Sequence, residues 1–273
     1  MPLPKKILFV VLFSLYIVSS GISQNKIGII KYEQILYTKD TLSFGSSSKF
    51  HLLYKDNEIN FVDLLQYETI SAKTKERFKV KISSSEQISP EIYSYQNLTT
   101  KEILFNESFT PNVELSVVDK MTTISWKLLN KSKKIQNIQC FSAQAEYRGR
   151  VWTAWYAPSI PVSSGPWLLY GLPGMILEAE DQNKTVKFIC EGVVIPSENV
   201  EVSEPKSNSS DGKFVNNKDL PKIVKEKLEN TAKLMSDKSM TLSFGVSSIE
   251  IFDFEKDMAM PRIQQKLSDT TKK

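Results

Sequence analysis

The stretch Gly165-Pro166-Trp167-Leu168-Leu169-Tyr170-Gly171-Leu172-Pro173-Gly174-Met175-Ile176-Leu177-Glu178 decides how the rest of this chain is read. Two Gly/Pro pairs bracket an aromatic and apolar run and then release the chain into an alternating segment. Proline fixes φ and lacks a backbone donor, while glycine accepts angles closed to other residues. The stretch therefore specifies a rigid connector that launches a strand, a shape rather than a reaction. Pro173 and Gly174 suit the two central positions of a type II turn. Met175 to Glu180 then runs out, Asp181-Gln182-Asn183-Lys184 reverses the chain, and Thr185 to Ile195 comes back.

A second hairpin precedes the connector. Ile138 to Ala145 puts Phe141, Ala143 and Ala145 on one face and Cys140, Ser142 and Gln144 on the other, because strand side chains alternate. Tyr147-Arg148-Gly149-Arg150 turns the chain, with Gly149 supplying the positive φ, and Val151 to Tyr156 returns. Pro158 and Pro161 stop that strand.

Further upstream the dominant period is two. Strands are expected over Lys26 to Tyr37, Lys49 to Tyr54, Ile59 to Leu65, Phe78 to Ile82, Glu91 to Tyr95, Ile103 to Phe105, Val113 to Val118 and Met121 to Leu129, while Thr41 to Gly45 ends in a turn. Their short spacing predicts an antiparallel meander. After Pro196, residues 197–218 read as a polar loop. Asp219 can cap a helix over 219–236, with Val224, Leu228 and Met235 on one stripe. Residues 237–263 return to strand-like alternation, and 264–273 form a polar tail expected to fray. The fold class expected is mainly β, an antiparallel curved sheet or half-barrel formed by residues 24–196, with one C-terminal helix covering it.

The N-terminus carries an address. Lys5 and Lys6 precede an apolar run from Ile7 to Val18, followed by the small residues Ser19, Ser20, Gly21 and Ser23. Residues 1–23 read as a cleaved signal peptide. The run is about a dozen residues, against roughly 20 for a membrane span. The expected location is the periplasm or the exterior, with no transmembrane segment after cleavage. The formal charge of +4 includes the leader and a Lys-rich tail, so the body is nearly neutral and a nucleic-acid partner is not expected. Cys140 and Cys190 allow either a single disulfide, in an oxidising compartment, or two buried thiols. Two cysteines without flanking histidines do not make a metal site, and no cofactor motif is present.

Cys140, Ala145, the Tyr147-Arg148-Gly149-Arg150 turn, Thr153-Ala154-Trp155-Tyr156, Ile160-Pro161, Gly165-Pro166-Trp167 and Gly171-Leu172-Pro173-Gly174 occur together over residues 126–195. In that order they resemble the pattern of the GLPGLI family of Gram-negative envelope proteins, with Met175 in place of the family's second Leu. The resemblance implies an envelope location and no particular chemistry. Its structural motif is Gly149, Pro161, Gly165, Pro166, Gly171, Leu172, Pro173 and Gly174. The coarse pattern is also similar to the periplasmic lipoprotein-carrier half-barrels, an analogy of fold alone.

Function is read as binding rather than catalysis. His51 is the chain's one histidine and lies in an alternating segment that suits a structural role. Glu178 with Glu180 or Asp181, or Glu146 across the sheet, could supply a carboxylate pair for a hydrolase, but charged residues at a hairpin end usually form its solvated face. Trp152, Trp155, Tyr156, Trp167 and Tyr170 are concentrated near Arg148 and Arg150. Arg150 and these five aromatics are the candidate ligand- or partner-binding residues. The expected partner is an apolar ligand or an envelope protein, and the alternative is an accessory protein docking on an outer-membrane assembly.

Overall fold

A computed structural model describes residues 27–37, 44–71, 77–79, 91–110, 113–198, 200–209 and 211–236. The expected signal peptide, the strand region expected over 237–263 and the expected tail lie outside the described residues.

The described chain is mainly β. Thirteen strands, β1 (Ile27–Tyr37), β2 (Phe44–Lys55), β3 (Glu58–Ser71), β4 (Arg77–Lys79), β5 (Glu91–Asn97), β6 (Glu102–Thr110), β7 (Val113–Lys120), β8 (Lys127–Ile135), β9 (Ile138–Tyr147), β10 (Arg150–Ala157), β11 (Met175–Asp181), β12 (Val186–Val194) and β13 (Phe214–Asn216), precede one helix, α1 (Leu220–Ser236). They form one open sheet in the order β13-β7-β6-β5-β3-β2-β1-β12-β11-β10-β9-β8, with β4 paired to β3. All described ladders are antiparallel except β13 on β7. The sheet consists of two meanders, β1 to β7 and β8 to β12, joined where β1 pairs with β12.

Chain connectivity makes this sheet curl. Ten strand steps separate β7 from β8, about 48 Å if the sheet were flat. The link between them, Met121 to Trp126, has no regular structure and can span no more than about 24 Å. The two rims must therefore approach each other. The strand expected over Met121 to Leu129 is corrected accordingly: β8 begins at Lys127, and the residues before it cross between the rims.

The connector fills the curl. Its Ile160, Val162, Trp167, Leu168, Leu169, Tyr170 and Leu172 are all buried. Ring contacts run without a break from Phe50 through Phe61, Phe188, Trp152 and Trp167 to Tyr147 and Tyr170. Burial of this much aromatic surface supplies the dominant stabilisation. The polar stretch expected after Pro196 contains β13, whose pairing is steadied by Ser209 accepting from the Ser116 N–H at 2.9 Å. Helix α1 begins at Leu220, places Pro221 in its first turn where no donor is needed, and buries Leu220 and Val224.

Candidate functional site

The backbone of the connector departs from the expected type II turn. Gly174 N–H donates to the Leu172 carbonyl at 2.8 Å, which closes a three-residue γ-turn about Pro173. A similar bond, Val162 N–H to the Ile160 carbonyl at 2.7 Å, forms about Pro161. Gly174 has φ +149 and Gly171 φ +92, and a Cβ at Gly165 would meet the Ile176 Cβ at 2.6 Å. Trp167 itself takes φ 56, an angle unfavourable to a bulky residue. The 147–150 turn likewise carries positive φ at Arg148 as well as Gly149, so the expectation that Gly149 alone would supply it is corrected.

The Trp167 carbonyl accepts from Ser94 Oγ and Gln96 Nε2, both at 3.3 Å, and Ser164 Oγ donates to Gln96 Oε1 at 3.0 Å. Tyr170 donates to the Thr122 carbonyl, and Trp126 Nε1 donates to the Tyr170 carbonyl, both at 2.8 Å. The connector is thus tied to β5 on one side and to the rim crossover on the other.

The six candidate binding residues are divided by this arrangement. Trp152, Tyr156, Trp167 and Tyr170 are buried and belong to the core. Arg150 bonds Asp181 Oδ2 and Thr185 Oγ1, both at 2.7 Å, with the Asp181 side chain only 1% exposed. Trp155 remains half-buried, with the Lys133 ammonium 4.5 Å from its ring centroid. Arg148 is also engaged: it bonds Asp119, which Asn217 bonds in turn, and lies over the Phe105 ring. These pairs link the β9–β10 turn to β7.

Cys140 and Cys190 are both buried and free, the second of the two arrangements the sequence left open. Each thiol is instead turned to a backbone acceptor: Cys140 Sγ donates to the Ile138 carbonyl at 3.4 Å and Cys190 Sγ to the Gly192 carbonyl at 3.6 Å. Burial pushes the Cys140 thiol up to about 11 and the Cys190 thiol up to about 12.

The carboxylates considered for hydrolysis are held separately. Glu178 is paired with Lys133, Glu180 with Lys187 and Asp181 with Arg150. Glu146 is exposed on β9. His51 is half-buried on β2, and burial, with Lys31 nearby, lowers its pKa. No group of three or more His, Cys, Asp or Glu side chains able to hold a metal occurs among the described residues. Among them, too, no helix is long and apolar enough to cross a membrane.

Two features were not anticipated from sequence. The β11–β12 ladder is confined to Ala179↔Phe188 and Glu180↔Lys187. Beyond it, Tyr32 Oη donates to the Ile176 carbonyl and Gln136 Nε2 to the Cys190 carbonyl, so side chains satisfy backbone groups that a longer ladder would have used. The second feature is the β8–β9 hairpin at one end of the sheet. Its turn, Gln136-Asn137, has φ of 49 and 62, as a type I′ turn requires. Lys127, Lys131 and Lys134 are exposed, beside Leu128 and Phe141. The only sequence signal was the Lys-rich run 127–134.

Residues 144–178 match a family described as "Protein of unknown function (Porph_ging)". The match covers β10, the connector and the start of β11. No curated protein matches the chain. Among solved structures, PNGF-II in a C2 crystal form is similar at 15% identity and a TM-score of 0.37, covering 63% of this chain and 28% of that one. A P21 form of PNGF-II gives 13% identity and 0.33, covering 63% and 29%. The chain therefore spans under a third of the length of these structures.

Proposed function

We propose that this chain is an exported, GLPGLI-like, non-catalytic binding protein that docks on a partner in the cell envelope. The observation that carries the docking reading is the fate of the aromatic connector. Its Trp167 and Tyr170 rings join one contact series with Trp152 and Tyr147, and its apolar side chains are buried against the sheet. A carrier of an apolar ligand would instead line a cavity with such residues. Export is supported by the leader-like residues 1–23, and the matched segment 144–178 lies within the 126–195 region that carries the family resemblance.

The two binding modes are separated by native mass spectrometry of the purified mature protein, alongside lipid extraction and envelope cross-linking. Docking predicts a protein free of stoichiometric lipid that cross-links to a defined envelope component. A tightly held lipid at one per chain would sink docking and restore the carrier reading. Turnover abolished by changing a single carboxylate would sink both.

A further inference from the structure

We infer that the β8–β9 hairpin seats the protein on an anionic lipid surface. The inference rests on the docking reading and assigns it a surface and a partner chemistry.

The charge is concentrated here. From Lys127 to Gln144 the chain carries four lysines and no acidic residue, as much net positive charge as the whole chain's formal +4. Lys127, Lys131 and Lys134 are exposed, while Lys133 turns to Glu178. Lysines on a sheet edge often serve only to prevent edge-to-edge pairing. That role calls for no apolar company, and exposed apolar side chains would work against it. Yet among the described residues the exposed large hydrophobics are Leu128, Phe141, Val194 and Ile195, and the first two stand on this hairpin at 60% and 41% exposure.

The pairing register puts them on one side. Leu128 pairs with Ala143 and Ser132 with Phe141, so Leu128 and Phe141 share a face two steps apart along β9. Lys134, opposite Gln139, shares that face as well. Two projecting apolar groups with flanking ammoniums match a lipid headgroup boundary, where the apolar groups enter and the lysines meet phosphates.

An acidic peptide added as a further strand is the competing occupant. Strand addition needs a regular edge, and β8 lacks one. Its register shifts between Leu128 and Ser132, which interrupts the ladder a new strand would extend. A bilayer makes no such demand.

The test is co-sedimentation of the mature protein with phosphatidylglycerol-containing vesicles and with phosphatidylcholine vesicles, across a salt series. Binding to the anionic vesicles alone, weakening as salt rises, is expected. Each of Lys127→Glu, Lys131→Glu and Lys134→Glu should weaken binding about fivefold or more. Leu128→Ser, at the more exposed of the two apolar positions, should weaken it with little movement of the melting temperature. No binding at low salt, equal binding to both vesicle types, or binding unchanged in the hairpin variants would overturn the inference. Hairpin-dependent capture of an acidic protein with no vesicle binding would also overturn it, while leaving the docking reading intact.

Discussion

Gly174 is packed against the carbonyl of Ala157 so closely that a Cβ added to it would stand 2.3 Å from the Ala157 oxygen. The obstacle is backbone, not the flexible end of a side chain, and Gly174 also holds φ +149. Gly174→Ala must displace the end of β10 or the start of β11. A loss of roughly 2 to 4 kcal/mol is expected, read from urea unfolding. An unchanged transition midpoint would show that the connector tolerates the shift.

Arg150 is the counter-ion of a nearly inaccessible Asp181 carboxylate. Asp181 also accepts from the N–H groups of Thr185 and Val186, at 2.7 and 2.8 Å, so it organises the β11–β12 turn. Arg150→Ala leaves that charge buried without its cation and should cost about 2 to 4 kcal/mol. Arg150→Ala with Asp181→Asn should recover part of the loss. A variant of native stability that fails only in partner binding would instead make Arg150 a contact residue.

Acid sensitivity should be traceable to Glu33. Burial alone would raise its pKa, but hydrogen bonds from Arg77 and Ser47 and the charge of Lys49 outweigh that and lower it. A carboxyl depressed in the folded state contributes stability that is present above its unfolded pKa and lost as pH falls through the folded one. The gap between the native chain and Glu33→Gln should therefore be widest near neutrality and close below about pH 4.5. Chemical denaturation of both proteins across pH would show it, and a gap constant with pH would refute it.

The two thiols should be silent in the native protein. With Cys140 raised to about 11 and Cys190 to about 12 by burial, neither supplies appreciable thiolate at neutral pH. Alkylation of native protein should be slow, and denaturation without reductant should expose two titratable thiols per chain. Finding none would mean that the cysteines are oxidised.

Period-two alternation and the Gly/Pro connector were enough to read the antiparallel strands, the hairpin reversals and the curved, open sheet. Which way the aromatics faced was not legible. Alternation assigns Trp152 and Trp155 to different faces of β10, but only the three-dimensional path of residues 158–174 shows that Trp152 looks into the curl and stacks near Trp167. The left-handed angle of Trp167 has no local signature either, because tertiary packing enforces it against a bulky residue's preference. Whether Cys140 and Cys190 are bonded was not legible either, because spacing along the chain does not encode where their thiols find backbone acceptors. The edge position of β8 was hidden for the same reason: a Lys-rich alternating run looks alike at the centre and at the rim until its neighbours are known.

The seam between β1 and β12 has a consequence for assembly. Ile29 pairs with Val194 and Leu36 with Val186, whereas the other antiparallel neighbours are nearby in sequence. During synthesis β1 must wait, one flank bare, until the second meander has emerged, so closure of this seam should be the slow, topology-limited step. A polypeptide nicked within residues 121–126 would yield two halves, each holding its own run of hairpins, whose reunion would depend on the same seam. Fragment complementation is thus a direct way to time it.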